Sequence, residues 1–347
     1  MFDLTLFIRE NIKNLKPYSS ARDEYEGKEG IFLDANENPY ESAAKQPYNR
    51  YPDPKQKALK EKIARLKRLE PEQVFLGNGS DEAIDMVFRS FCKPGVDNVI
   101  TLPPTYGMYK VCADINDIAV KEIPLTPNYQ INTEAVLAAI DKDTKVIWIC
   151  SPNNPTGNAI YTKDIVQLLT TFNGVVVIDE AYIDFAPDKS FTQKLKDYPN
   201  LIILQTFSKA WGMAALRLGM AFASEEIISI FSKVKYPYNI NQLTQELALE
   251  ALRNLLNKEM MVEEILTQRA WLEEELSKLK LVIKVHPSDA NFLLVKMQDA
   301  HEVYQKLVTQ KIITRDRSTI TLCEDCIRIT VGSEIENIAL IKALTNL

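Results

Sequence analysis

Three short apolar runs limit most tightly what this chain can fold into. Lys145-Val-Ile-Trp-Ile-Cys150, Val175-Val-Val-Ile178 and Leu201-Ile-Ile-Leu204 read as strands buried on both faces, the pattern of a parallel sheet interior. Each breaks off into a polar cluster: Ser151-Pro-Asn-Asn-Pro-Thr-Gly157, Asp179-Glu-Ala-Tyr182 and Thr206-Phe-Ser-Lys209. Shorter strands are expected upstream at 74–76, 98–101 and 119–123. Helical patterning fills the intervals from Gly77 to about Cys92, from Pro103-Pro-Thr-Tyr106 onward, at 133–140 and at 163–172. Such βα repetition predicts an α/β fold with a mostly parallel sheet covered on both sides. Open sheets of this kind hold ligands at the C-terminal ends of their strands, where every polar cluster falls.

The flanks differ. The first 30 residues predict an arm that lies on the body and covers the active site together with a small domain. Asn49-Arg-Tyr-Pro-Asp-Pro54 stiffens an exposed Tyr51 ahead of a helix over 55–69. Beyond Arg217 the reading is a returning strand over 218–223, a helix over 225–233 and one long helical stretch over about 243–279. Then come a strand at 290–295, a helix at 300–308, a strand at 327–331 and a closing helix from Ser333. The expected domains are therefore the arm 1–30, a large domain 31–250 and a small α+β domain 251–347 that begins with the long helix.

Composition excludes several functions. A net charge of −6 offers no basic face to nucleic acid. No apolar run approaches the roughly 18 residues that span a bilayer, and the N-terminus lacks a signal peptide's basic start and sustained apolar core. Five scattered cysteines favour a reducing cytoplasm, and Cys323-Glu-Asp-Cys326 stands without the second pair of a zinc site. With only His286 and His301 in the chain, Ser-His-Asp hydrolysis and a histidine-rich metal centre are both disfavoured.

The polar clusters suggest one kind of chemistry. Lys209, beyond a buried strand, can form a Schiff base with an aldehyde once its amine is desolvated. Ser208, Arg217 and the helix start Gly79-Ser80-Asp81 can share a phosphate. Asp179 can pair with a protonated ring nitrogen, Asn154 and Tyr182 can donate to a phenolate oxygen, and Tyr106 can stack on the ring. Together these describe a site for pyridoxal phosphate.

SPNNPTG, DEAY and TFSKAWGMAALR, in this order, resemble the fold-type-I pyridoxal-phosphate aminotransferases. With PYSSAR, DANENP, RYPDP, GNGSDE, PPTYGMY and CIRITVG, the chain from about residue 17 to its end closely resembles the histidinol-phosphate aminotransferases. The resemblance implies Lys209 as the Schiff-base lysine and Asp179 as the ring-nitrogen partner, with Asn154 and Tyr182 at the phenolate. It implies phosphate contacts at Ser80, Asp81, Thr206, Ser208 and Arg217, and a homodimer in which Tyr51 reaches the partner subunit's cofactor. Substrate would be held by Arg328 and Arg315, with Tyr18 and Asn36 closing the pocket. Transamination of histidinol phosphate with 2-oxoglutarate follows, without metal. Threonine-phosphate decarboxylation and aromatic-amino-acid transamination, on the same fold, remain open alternatives. A pyridoxal-phosphate-responsive DNA-binding regulator is disfavoured, since only about 30 residues precede the domain. Trp211 and Ala215 stand where phenylalanine and glycine are commoner, a departure beside the Schiff-base lysine that could reshape the pocket floor without touching a named contact.

Overall fold

The computed structural model describes residues 3–18, 30–44 and 46–347. In chain order its helices and strands are α1 (Glu10–Lys13), α2 (Lys57–Lys67), β1 (Val74–Asn78), α3 (Gly79–Phe91), β2 (Asn98–Thr101), α4 (Met108–Ile115) and β3 (Ala119–Glu122). They continue as α5 (Thr133–Ala139), β4 (Thr144–Cys150), α6 (Thr162–Thr171), β5 (Val175–Asp179), β6 (Leu201–Thr206), β7 (Leu218–Phe222), α7 (Glu225–Val234) and α8 (Gln242–Ala251). The last third holds α9 (Leu255–Ser277), β8 (Val282–Val285), β9 (Phe292–Met297), α10 (Ala300–Thr309), β10 (Arg315–Asp316), β11 (Cys326–Thr330) and α11 (Glu334–Thr345).

The large sheet has seven strands in the order β1-β7-β6-β5-β4-β2-β3. Only β7 runs against its neighbours, pairing antiparallel with both β1 and β6. Alternation along the strands divides the core. Ile147, Ile149, Val176, Ile178 and Ile203 face one layer with α2, α5 and α6, whereas Trp148, Val177, Ile202 and Leu204 face the other with α3, α4 and α7. The sheet is thus covered on both sides, as the unbroken Val/Ile runs predict. A second, antiparallel sheet, β10-β11-β9-β8, forms the smaller domain with α10, α11 and the second half of α9.

Two details differ from the sequence reading. The long helix splits after Ala251. Leu252 is buried with the large core, while Leu272 and Leu276 are buried in the small one, so the chain turns at 252–254 to serve both. Strand β8 escapes prediction because Ile283 and Lys284 are exposed, leaving no alternating pattern, and β10 has only two residues. At the N-terminus, Arg9 N–H donates to Ser90 O at 3.0 Å and Ile12 is buried against α3, so the described part of the arm's first half lies on the large sheet's helical layer. Of the Pro17–Arg22 motif, residues 19–22 lie outside the described chain.

Candidate active site

The site is assembled where β4, β5 and β6 end side by side: Cys150 is in register with Asp179, and Asp179 with Leu204. Around those ends lies a cavity of about 630 Å³, a size typical for small-molecule sites. One end is an anion cradle. Thr206 stands in register with Gly219 of β7, and a Cβ at Gly219 would run into the backbone of Gly79 and Ser80. The missing side chain lets the N-terminus of α3 press against the sheet. Gly79 takes φ +72°, donates its N–H to Arg217 O, and leaves Ser80 and Asp81 at the mouth of the helix. Asn78 makes no side-chain cap, so the N–H groups of Ser80 and Asp81, next after that of Gly79, can meet an anion. Arg217 closes the cradle, with Nη1 donating to Ser208 Oγ at 3.4 Å and Nη2 to Asp81 Oδ2 at 3.3 Å. Thr206 Oγ1 lies 3.0 Å from Ser208 Oγ.

The floor carries the reactive groups. Asp179 is only 2% exposed, and burial pushes its carboxyl up to about 6 despite hydrogen bonds from Tyr109 Oη at 2.8 Å and Ala181 N–H at 3.1 Å. The Lys209 ammonium is driven the other way: desolvation, with Arg328 and Arg217 nearby, lowers its pKa and favours the free amine, although Asp179 opposes this. Lys209 Nζ stands 5.5 Å from the Tyr182 ring centre. Asn154 Oδ1 accepts from Arg328 Nη1 at 2.6 Å, which leaves the amide N–H₂ as its remaining donor. Tyr106 donates to Asp81 Oδ1 at 3.1 Å and sits edge-on to Tyr109.

Comparison with known proteins identifies the family. The profile described as "Aminotransferase class I and II" matches residues 24–344. A histidinol-phosphate aminotransferase from Cytophaga hutchinsonii is 57% identical over 343 residues, covering 99% of both chains. The chain belongs to the class I and II aminotransferases, among the histidinol-phosphate aminotransferases. The solved histidinol-phosphate aminotransferase of Clostridium acetobutylicum superposes with a TM-score of 0.80 at 26% identity, covering 86% of this chain and 90% of that one. That of Sinorhizobium meliloti, solved in complex with pyridoxal-5'-phosphate, shares the fold at a TM-score of 0.79 and 22% identity, over 86% and 83%.

Class I and II aminotransferases depend on pyridoxal phosphate, and the donors here fit it. An uncapped helix start beside two hydroxyls and Arg217 suits a phosphate, while a buried carboxylate and a desolvated amine stand further along the same cavity. Of the residues singled out from the sequence, Ser80, Asp81, Tyr106, Asn154, Asp179, Tyr182, Thr206, Ser208, Lys209, Arg217, Arg315 and Arg328 line that cavity. Tyr18, Asn36 and Tyr51 do not. They lie exposed on the same chain, with Tyr51 stacked on Tyr238 at 4.4 Å. Trp211 and Ala215 also stay off the cavity wall, and Trp211 packs on Phe207. Two side chains escaped the sequence reading. Tyr109 looks like any core tyrosine until its hydroxyl is seen on Asp179. Arg317 lines the cavity too, and its only advance signal is its place two residues beyond Arg315 in an extended segment.

Proposed function

We propose that this site transfers the amino group of L-histidinol phosphate to 2-oxoglutarate, giving imidazole-acetol phosphate and L-glutamate, as a step in histidine biosynthesis. The observation that carries the reading is one cavity with a desolvated Lys209 beside buried Asp179 and a wall of arginines facing them. Bound pyridoxal phosphate supplies an aldehyde for the amine and a ring that takes up the electron pair released at the substrate's Cα.

The chain's residues do the rest. Ser80 and Asp81 at the α3 start, with Thr206, Ser208 and Arg217, anchor the cofactor's phosphate. Asp179 keeps the ring nitrogen protonated, which strengthens electron withdrawal as charge develops. Asn154 N–H₂ and the Tyr182 hydroxyl donate to the phenolate oxygen. Lys209 Nζ, as a free amine, would take the proton from the substrate's Cα and deliver it to the carbon that carried the cofactor's aldehyde. Burial lowers its pKa, which favours the free amine that this transfer needs. Arg328 and Arg315 hold the substrate's anionic end, because a guanidinium fork matches carboxylate and phosphate oxygens alike. Tyr18 and Asn36 are assigned to pocket closure.

A homodimer accounts for Tyr51, which does not line the cavity of its own chain and would reach the cofactor phosphate of a partner subunit. Ile31, Leu33 and Tyr40, close to Asn36 in sequence, and Tyr236, close to the Tyr238 on which Tyr51 stacks, are each at least 71% exposed, apolar surface that suits such a contact. Five unpaired, buried thiols suit the cytoplasm. Among the described residues no helix is long and apolar enough to cross a membrane.

Lys209→Ala tests the assignment. The variant is expected to lose the absorbance of the lysine-bound cofactor and nearly all turnover, and full retained activity would refute it.

A further inference from the structure

Arg315 and Arg328 stand directly opposite each other in the β10–β11 pair. Arg317 prolongs that pairing, its N–H donating to Cys326 O at 2.9 Å, and shares the face of Arg315 because extended residues alternate. Asp316 between them turns away, its Oδ2 meeting His301 Nδ1 at 2.7 Å on α10. All three arginines line the cavity. The charged neighbours that depress Arg317 are Arg328 and Arg315, behind the larger effect of burial, and Cys323 and Tyr182 oppose them. The Nε atoms of Arg317 and Arg328 are both buried without a hydrogen-bond partner. Like charges placed opposite one another destabilise a sheet, so this wall is costly unless an anion joins it.

We propose that Arg317 is a third anion ligand, which makes the wall selective for a phosphate monoester over a carboxylate. This rests on the reading above that a phosphorylated amine and glutamate alternate in the site. A carboxylate offers two oxygens and one charge, and a single fork satisfies it. A phosphate monoester offers three acceptor oxygens and roughly −1.5 to −2 charge at neutral pH, so it can engage further guanidinium groups at once. Arg317 is therefore a specificity residue. It adds affinity for the phosphate-bearing substrate and contributes less to binding glutamate.

The test is Arg317→Gln in the holoenzyme, with each half-reaction followed separately through the cofactor's absorbance. The KM for histidinol phosphate is expected to rise roughly 10- to 100-fold, at least about tenfold more than that for glutamate, with kcat within about threefold, as expected for loss of one charge-assisted contact. Inorganic phosphate should also inhibit the glutamate half-reaction less in the variant than in the parent. Arg317→Lys keeps the charge but not the fork and should fall between the two, giving the same comparison if the Gln variant does not fold. Equal KM rises for both substrates, a fall in kcat alone, or unchanged inhibition by phosphate would overturn the proposal. If the parent enzyme does not turn over histidinol phosphate at all, the functional reading fails, while phosphate inhibition still reports on Arg317.

Discussion

Single side chains divide into those whose role can be read from their place in the chain and those that depend on a distant partner. Asp179 ends an apolar strand, and Asn154, Tyr182 and Lys209 each stand a few residues beyond one, so the strands fix where they stand, and the sheet brings consecutive ends together. Tyr109 and Arg317 are different. The hydroxyl of Tyr109 finds Asp179 from 70 residues away, and Arg317 gains meaning only from a cross-strand register with β11. Tyr109→Phe should therefore matter although it deletes one atom. Removing a hydrogen bond to a carboxylate raises its pKa, so Asp179 should ionise less readily than it does at about 6. We expect kcat to fall about tenfold, in line with ~1.5–3 kcal/mol for a hydrogen bond to a charged group. The acid limb of the rate profile should move to higher pH, making the loss larger at pH 5.5 than at pH 8. Parallel pH profiles for the two proteins would argue that Tyr109 serves packing alone.

Among the elements, the Val/Ile runs were legible to within about two residues, because a strand buried on both faces has no other composition open to it. Thr144–Cys150 and Val175–Asp179 stand close to where the pattern puts them. The turn between α8 and α9 was not legible, since helical periodicity continues across it. What breaks the helix is the demand of two separate cores, a tertiary effect. The cradle shows the opposite case, in which one small residue positions a whole helix. Gly219→Ala would force the start of α3 off β7. Overpacking of this kind costs about 1–3 kcal/mol, and the midpoint of thermal unfolding should drop accordingly. Because Ser80 and Asp81 move with the helix, equilibrium titration should also show weaker pyridoxal phosphate binding. Loss of stability with cofactor affinity intact would mean that the helix start does not hold the phosphate.

The whole molecule sets two bodies around one cavity: β4, β5 and β6 of the large sheet supply the floor, and β10 and β11 of the small one supply the arginine wall. Tyr182 and Phe292 pack edge-on between them, 5.0 Å apart, so the arginine wall rests directly on the cavity floor. Completion of the site by a second subunit can be tested by complementation. Mixed dimers of Tyr51→Ala and Lys209→Ala subunits would contain one intact site if Tyr51 acts across the interface. Activity should then recover well above that of either variant alone, whereas no recovery after subunit exchange would place Tyr51's role within its own chain. The most direct test of the proposed reaction is a spectral half-reaction assay of the purified holoenzyme with histidinol phosphate, phenylalanine and threonine phosphate under matched conditions. We predict rapid conversion of the cofactor to its amino form by histidinol phosphate, reversed by 2-oxoglutarate, with much slower conversion by phenylalanine and no carbon dioxide from threonine phosphate. A faster reaction with phenylalanine, or carbon dioxide release without any need for 2-oxoglutarate, would contradict it.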